Sequence, residues 1–182
     1  MTPLSPPTRP PPNGVATRSL TYFSDSRGSL AEVFRETWGL STSPAQININ
    51  HSGAGVLRGM RAHFQHTDYL AVVAGHMTLG LRDARRRSPT FGATCCLELS
   101  SQNGPQVVIL PPGVIHGMYF PEASTHLYCA SHEFNVEDEL SCRWDDPALE
   151  IPWVLKSPIV STKDAAQPSL MELMHALAQH GL

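Results

Sequence analysis

Charge of either sign is scarce in this chain. Asp, Glu, Lys and Arg together make up 16% of its 182 residues, and the formal net charge is −3. A nucleic-acid-binding surface needs a basic excess, so no such partner is expected. The one basic run, Arg85-Arg86-Arg87, is too short to change that and reads as a solvated turn. Long apolar runs are missing too. Nothing approaches the roughly 20 apolar residues that cross a bilayer, and the opening stretch lacks the apolar centre of a secretory leader. Cysteine is sparse: Cys95, Cys96, Cys129 and Cys142 show no CxxC spacing, and the adjacent pair on a strand would face opposite ways. Reduced thiols packed as small hydrophobes in a cytoplasmic protein are the expectation.

The residues that are present describe one globular unit. Hydrophobic residues make up 41%, enough for one domain with a sizeable core. Residues 1–19 carry clustered prolines and read as a flexible tail, leaving 20–182 as a single domain. Between residues 20 and 144, short apolar stretches such as Leu70-Ala71-Val72-Val73 and Val107-Val108-Ile109-Leu110 are broken by turn signals such as Pro111-Pro112-Gly113. That rhythm predicts an all-β sandwich or barrel. One late segment differs: Ser169 and Glu172 form a capping box, and Leu170, Leu173, Met174 and Leu177 follow at helical spacing. In Gln46-Ile47-Asn48-Ile49-Asn50 the amides alternate with isoleucines, so all three amides share one face of a strand. That face is either the wet side of an edge strand or the lining of a polar cavity.

Several clusters, in order along residues 22–168, resemble the dTDP-4-dehydrorhamnose 3,5-epimerase family. They are Phe23-Ser24-Asp25-Ser26-Arg27-Gly28 with Glu32, Gln46-x-Asn48 leading to Gly55-Val56-Leu57-Arg58-Gly59, and Ser88-Pro89-Thr90-Phe91-Gly92. Pro112-Gly113-Val114-Ile115-His116-Gly117, Trp144-Asp145-Asp146-Pro147, Ile151-Pro152-Trp153 and Ser161-Thr162-Lys163-Asp164 complete the set. The resemblance implies an all-β, cupin-type jelly-roll β-barrel with a short C-terminal helix. It also implies a homodimer whose N-terminal strand reaches the partner's sheet, and a dTDP-sugar in the barrel mouth. Arg27 and Arg58 would fork onto the diphosphate. Glu32, Gln46, Asn48 and His116 would bind the substrate, and Phe134 would offer a face to the base.

The chain departs from the family where the chemistry lies. The family's basic histidine is replaced by Arg61 and its lysine by Asp68, while the tyrosine matches at Tyr128 and the histidine's orienting aspartate at Asp146. A guanidinium keeps its proton at ordinary pH, so Arg61 is no general base. Arg61 and His63 are two apart on a strand and share its inner face. The expectation is therefore that His63 takes the proton next to a 4-keto group, Arg61 supplies a cation to the enolate, and Tyr128 acts as acid. The resemblance implies no metal and no cofactor, although His63, Asp68 and His116, with His66 spare, sit at cupin ligand positions. The reading is an epimerase or ketoisomerase of a dTDP-4-keto-6-deoxyhexose. Two alternatives stay open: a non-catalytic sugar-nucleotide-binding cupin and a metal-dependent cupin enzyme.

Overall fold

The computed structural model describes residues 9–40, 42–102, 104–155 and 157–182. Its strands are β1 (Ala16–Ser19), β2 (Tyr22–Asp25), β3 (Gly28–Ala31), β4 (Gln46–Ser52), β5 (Val56–Ala62), β6 (Asp68–Ala74) and β7 (His76–Asp83). They continue with β8 (Thr94–Ser100), β9 (Gln106–Leu110), β10 (Val114–Phe120), β11 (Ser124–Ala130), β12 (Leu140–Ser141) and β13 (Ile159–Val160). Two helices follow, α1 (Thr162–Ala165) and α2 (Leu170–Gln179).

One sheet runs β1-β9-β6-β11-β4; the other runs β12-β5-β10-β7-β8, with β13 added parallel to β5. The two sheets stay separate, so the expected barrel is a jelly-roll sandwich whose sheets do not join into a closed cylinder. Period two explains the layers. On β6, Leu70 and Val72 turn inward to meet Leu79, Leu81, Met118 and Phe120, while Tyr69 and Ala71 turn outward to a second apolar cluster. The third cluster lies under α2, where Leu170, Leu173 and Leu177 are buried beside Met60 and Ile115. Burying side chains of this kind contributes about 1.5–3 kcal/mol each. The expected capping box is present: Ser169 accepts from the Glu172 N–H, and Glu172 accepts from the Ser169 N–H.

Two of the clusters singled out in the sequence prove structural. Asp83, fully buried, accepts from Ser88 Oγ and Thr90 Oγ (2.6 Å each) and from the Arg85 guanidinium (2.8 Å), closing the loop between β7 and β8. Trp153 lies over Gly80 and Gly117, which are paired across β7 and β10. A Cβ on Gly80 would come 2.7 Å from the indole ring. Glycine is required there to admit the tryptophan.

The N-terminal boundary needs correction. Residues 1–8 lie outside the described residues, but Ala16–Ser19 is no tail: it pairs antiparallel with β9 as the sheet's edge strand. Val15 packs against the core just before it. The β-branched and alternating residues of Val15-Ala16-Thr17-Arg18 were masked by the prolines preceding them.

Candidate active site

The inward faces of β4, β5, β6, β10 and β11 turn from apolar to polar at one end of the sandwich. Leu70 and Asp68 share the inner face of β6, as do Phe120, Met118 and His116 on β10. A cavity of about 260 Å³ opens there, lined by Gln46, Asn48 and Asn50 from β4, Arg58 and Arg61 from β5, and Tyr128 with His126 from β11. The three amides therefore face the cavity, while Ile47 and Ile49 are each 65% exposed on the opposite side. Gln46 accepts from the Phe134 N–H (2.7 Å) and donates to Asn48 (3.2 Å), which fixes the loop that carries the exposed Phe134 ring to the rim. Arg58 is anchored by Nε to Ser52 Oγ (2.9 Å) and by a second nitrogen to the His51 carbonyl (3.2 Å).

The floor is a cluster of buried imidazoles around one carboxylate. His63 donates from Nδ1 to the Asp138 carbonyl (3.0 Å), so its Nε2 carries the lone pair and lies 3.3 Å from Tyr128 OH. His116 donates from Nδ1 to the Val114 carbonyl (3.2 Å), and its Nε2 lies 3.3 Å from the same hydroxyl. Asp68 places Oδ2 3.6 Å from both of these Nε2 atoms, and Oδ1 3.1 Å from Nε2 of His66. His66 in turn donates from Nδ1 to the Asp138 carboxylate (2.5 Å), which also takes the N–H groups of Phe64 and Gln65. Burial lowers the pKa of His63, and takes that of His116 down to about 4, favouring the neutral rings. Burial likewise holds Tyr128 well above the ordinary tyrosine range, so its proton stays on. For Asp68 burial works upward, but His66, His116 and His63 outweigh it and keep the carboxyl low.

Four assigned residues differ in surroundings from what was expected. Arg61 does line the cavity, but its Nε is held by Glu139 (3.2 Å) and a terminal nitrogen by Asp164 (2.5 Å). Its charge is thus already offset by two carboxylates, which removes the reason to make it the enolate's cation. Asp146 is not beside His63: its oxygens accept from the N–H groups of Ala148 (2.9 Å) and Leu170 (2.8 Å), tying the turn Pro147–Leu149 to the start of α2. Helix starts recruit such carboxylates because their first N–H groups lack partners. Arg27 and Glu32 belong to the β2–β3 hairpin and its exit, and neither lines this cavity. Arg27 pairs with Asp25 (2.6 Å) and the half-buried Glu32 with Arg35; the other three are exposed to solvent.

The sequence reading missed the groups that organise the site. Asp138 and Glu139 sit in the acidic run Glu137-Asp138-Glu139, which has the look of a wet surface; Asp138 is 1% exposed. His126 was not among the residues assigned to the site. It is buried at the cavity wall, stacked on Phe120 at 5.0 Å, with no hydrogen bond to either ring nitrogen among the described residues. The one signal for it was period two, since it shares the face of Tyr128.

A family model described as dTDP-4-dehydrorhamnose 3,5-epimerase matches residues 12–172. A curated protein of that name from Sinorhizobium fredii is 35% identical over 164 residues, covering 83% of this chain and 82% of its own length. Among solved structures, the Legionella pneumophila dTDP-6-deoxy-D-glucose-3,5-epimerase in complex with dTDP-4-keto-L-rhamnose is similar with a TM-score of 0.79 and 30% identity, covering 87% of this chain and 91% of that one. ChmJ, a 3'-monoepimerase from Streptomyces bikiniensis in complex with dTDP-quinovose, gives a TM-score of 0.79 at 26% identity, covering 100% and 91%. Sequence and fold agree, and the chain belongs to the dTDP-4-dehydrorhamnose 3,5-epimerase family.

Proposed function

We propose that this protein is an epimerase of a dTDP-4-keto-6-deoxyhexose, with His63 as the base. The observation that carries the reading is the Nε2 lone pair of His63, held in the cavity floor 3.3 Å from a protonated Tyr128 hydroxyl. An α-proton and its carbonyl oxygen are neighbours in the substrate, so a base and a donor standing side by side suit them together. His63 takes the proton; Tyr128, expected from the sequence to be the acid at carbon, is better placed to hydrogen-bond the developing enolate oxygen. A proton drawn from solvent and added to the opposite face inverts the carbon, and return from His63 to the same face leaves exchange alone. No cofactor enters this chemistry. Arg58 and the amides of β4 would hold the nucleotide diphosphate, with Phe134 beside the base. The four cysteines are free thiols, which supports a reducing, cytoplasmic setting.

The test is to incubate the protein with the dTDP-4-keto sugar in heavy water and follow C3 and C5 by proton NMR. Deuterium entering either position is expected. A protein that binds dTDP yet exchanges neither proton would leave a binding cupin as the better reading.

The protein is further proposed to work as a homodimer. Ile47 and Ile49 are exposed on the edge strand β4, next to an apolar groove formed by Val33, Phe34, Pro44, Tyr69 and Leu127. Phe23 and Leu30 on the hairpin are about as exposed, at 59% and 60%. Exposed apolar area of this kind marks an interface.

A further inference from the structure

We propose that His63, His66 and Asp68 form a binding site for a divalent transition-metal ion, with His116 in reach as a fourth ligand, and that an ion bound there blocks proton abstraction by His63. The ligand atoms of His63, His66 and Asp68 all lie within 4.8 Å of one another, and all three residues are buried. The Asp68 oxygens stand 3.6 Å from Nε2 of His63 and of His116 and 3.1 Å from Nε2 of His66. Ligands about 2.1 Å from a tetrahedral ion are separated by roughly 3.4 Å, so these spacings already approximate a coordination shell.

The hydrogen bonds point the same way. Each imidazole gives its Nδ1 proton to an acceptor that has none to return: the Asp138 carbonyl, the Asp138 carboxylate and the Val114 carbonyl. That is how a protein orients histidine ligands, leaving Nε2 free for the ion. The Nε2 lone pairs of His63 and His116 therefore converge with a carboxylate, and the only hydroxyl proton among them belongs to Tyr128. Burial works to lower the pKa of His66, but Asp68 and Asp138 outweigh it and raise it, so its ring would release the Nε2 proton on taking the ion. Among the described residues, Asp68 Oδ1 accepts no hydrogen bond although it is buried. Facing acceptors with too few protons are costly, and a shared cation is one of two remedies, the other being a proton on an imidazole. The nearby Arg61 guanidinium, which would otherwise repel an ion, is held by Glu139 and Asp164. Imidazole nitrogens with one carboxylate suit Zn2+, Co2+ or Ni2+ and not Mg2+ or Ca2+.

Blocking follows from valence. The Nε2 lone pair that would bind the ion is the one that would take the sugar's proton, so His63 serves one purpose at a time. This half rests on the epimerase reading; metal binding does not. The metal-stripped full-length protein is titrated with Co2+, followed by visible absorption, and with Zn2+, followed by calorimetry. One ion per chain is expected. Loss of an orienting partner costs about 10–100-fold in affinity, so Asp68→Asn and His66→Gln, which remove a ligand, should weaken binding by at least roughly 100-fold. His175→Gln, at an exposed position of α2, should change nothing. No saturable binding, or Asp68→Asn binding as tightly as the parent, overturns the site. Should the variants fail to fold, wild type alone decides. At one equivalent of Zn2+, shifts confined to two or three of the nine histidine rings support it, and shifts spread over the exposed rings overturn it.

Saturating Zn2+ should then cut deuterium exchange into the sugar at least tenfold, with recovery on adding a chelator. Exchange that persists or rises with the ion bound overturns the blocking role. Metal-stripped protein that exchanges nothing refutes the base assignment and leaves the binding result standing.

Discussion

A buried imidazole whose Nδ1 proton is already committed can accept only at Nε2, and this sets His63 apart from the chain's exposed histidines. His63→Ala should lose about 10²–10⁴-fold in deuterium exchange while dTDP affinity, measured by calorimetry, stays nearly unchanged. Arg58 belongs to the other half of the site. Removing its charge-assisted contact with the diphosphate should weaken dTDP binding by about 1.5–3 kcal/mol. Arg58→Ala binding dTDP like the parent would mean the nucleotide lies elsewhere. Much at this scale was legible in the sequence. The alternation of Gln46, Asn48 and Asn50 placed three amides on one face, and spacing put His63 inside. The partners of those residues were not legible. Asp138, Glu139 and Asp164 reach the site from segments more than 70 residues from β5, and no local pattern separates a carboxylate that turns inward from one that stays in water.

At the scale of elements, two devices hold the strands that carry the site. Trp153 sits on paired glycines of β7 and β10, the strand that bears His116. Gly80→Ala should overpack that contact and cost about 1–3 kcal/mol in urea unfolding. The β7–β8 loop is closed by Asp83, whose burial works to raise its pKa while the bonds from Arg85, Ser88 and Thr90 outweigh it and lower it. A carboxyl held below its unfolded value stabilises the fold above about pH 4 and ceases to do so as the pH falls through the lowered value. The stability gap between wild type and Asp83→Asn should therefore be wide at pH 7 and narrow on acidification, read from denaturant midpoints. Strands and the capped C-terminal helix were legible, because period two and the Ser169–Glu172 pair are local signals. The edge strand β1 was not. Its pairing with β9 depends on a chain segment nearly 90 residues away, and proline density argued for a tail.

For the whole molecule, the exposed isoleucines of β4 and the apolar hairpin residues predict a homodimer, and light scattering at micromolar concentration should give twice the mass of one chain. Ile47→Arg with Ile49→Arg should shift it toward monomer, since charge on that face leaves its apolar surroundings without cover. The hairpin has a consequence for how defects combine. Arg27 stands outside its own chain's cavity, whereas His63 stands inside. If the hairpin serves the neighbouring cavity, Arg27→Ala and His63→Ala are faults carried to different pockets by the same chain. Mix the two inactive proteins and let the subunits exchange: each hybrid gathers both faults in one pocket and leaves the other whole. Random reassortment at equal amounts should then return about a quarter of the native sites from two preparations that have none, as two-fold symmetry requires.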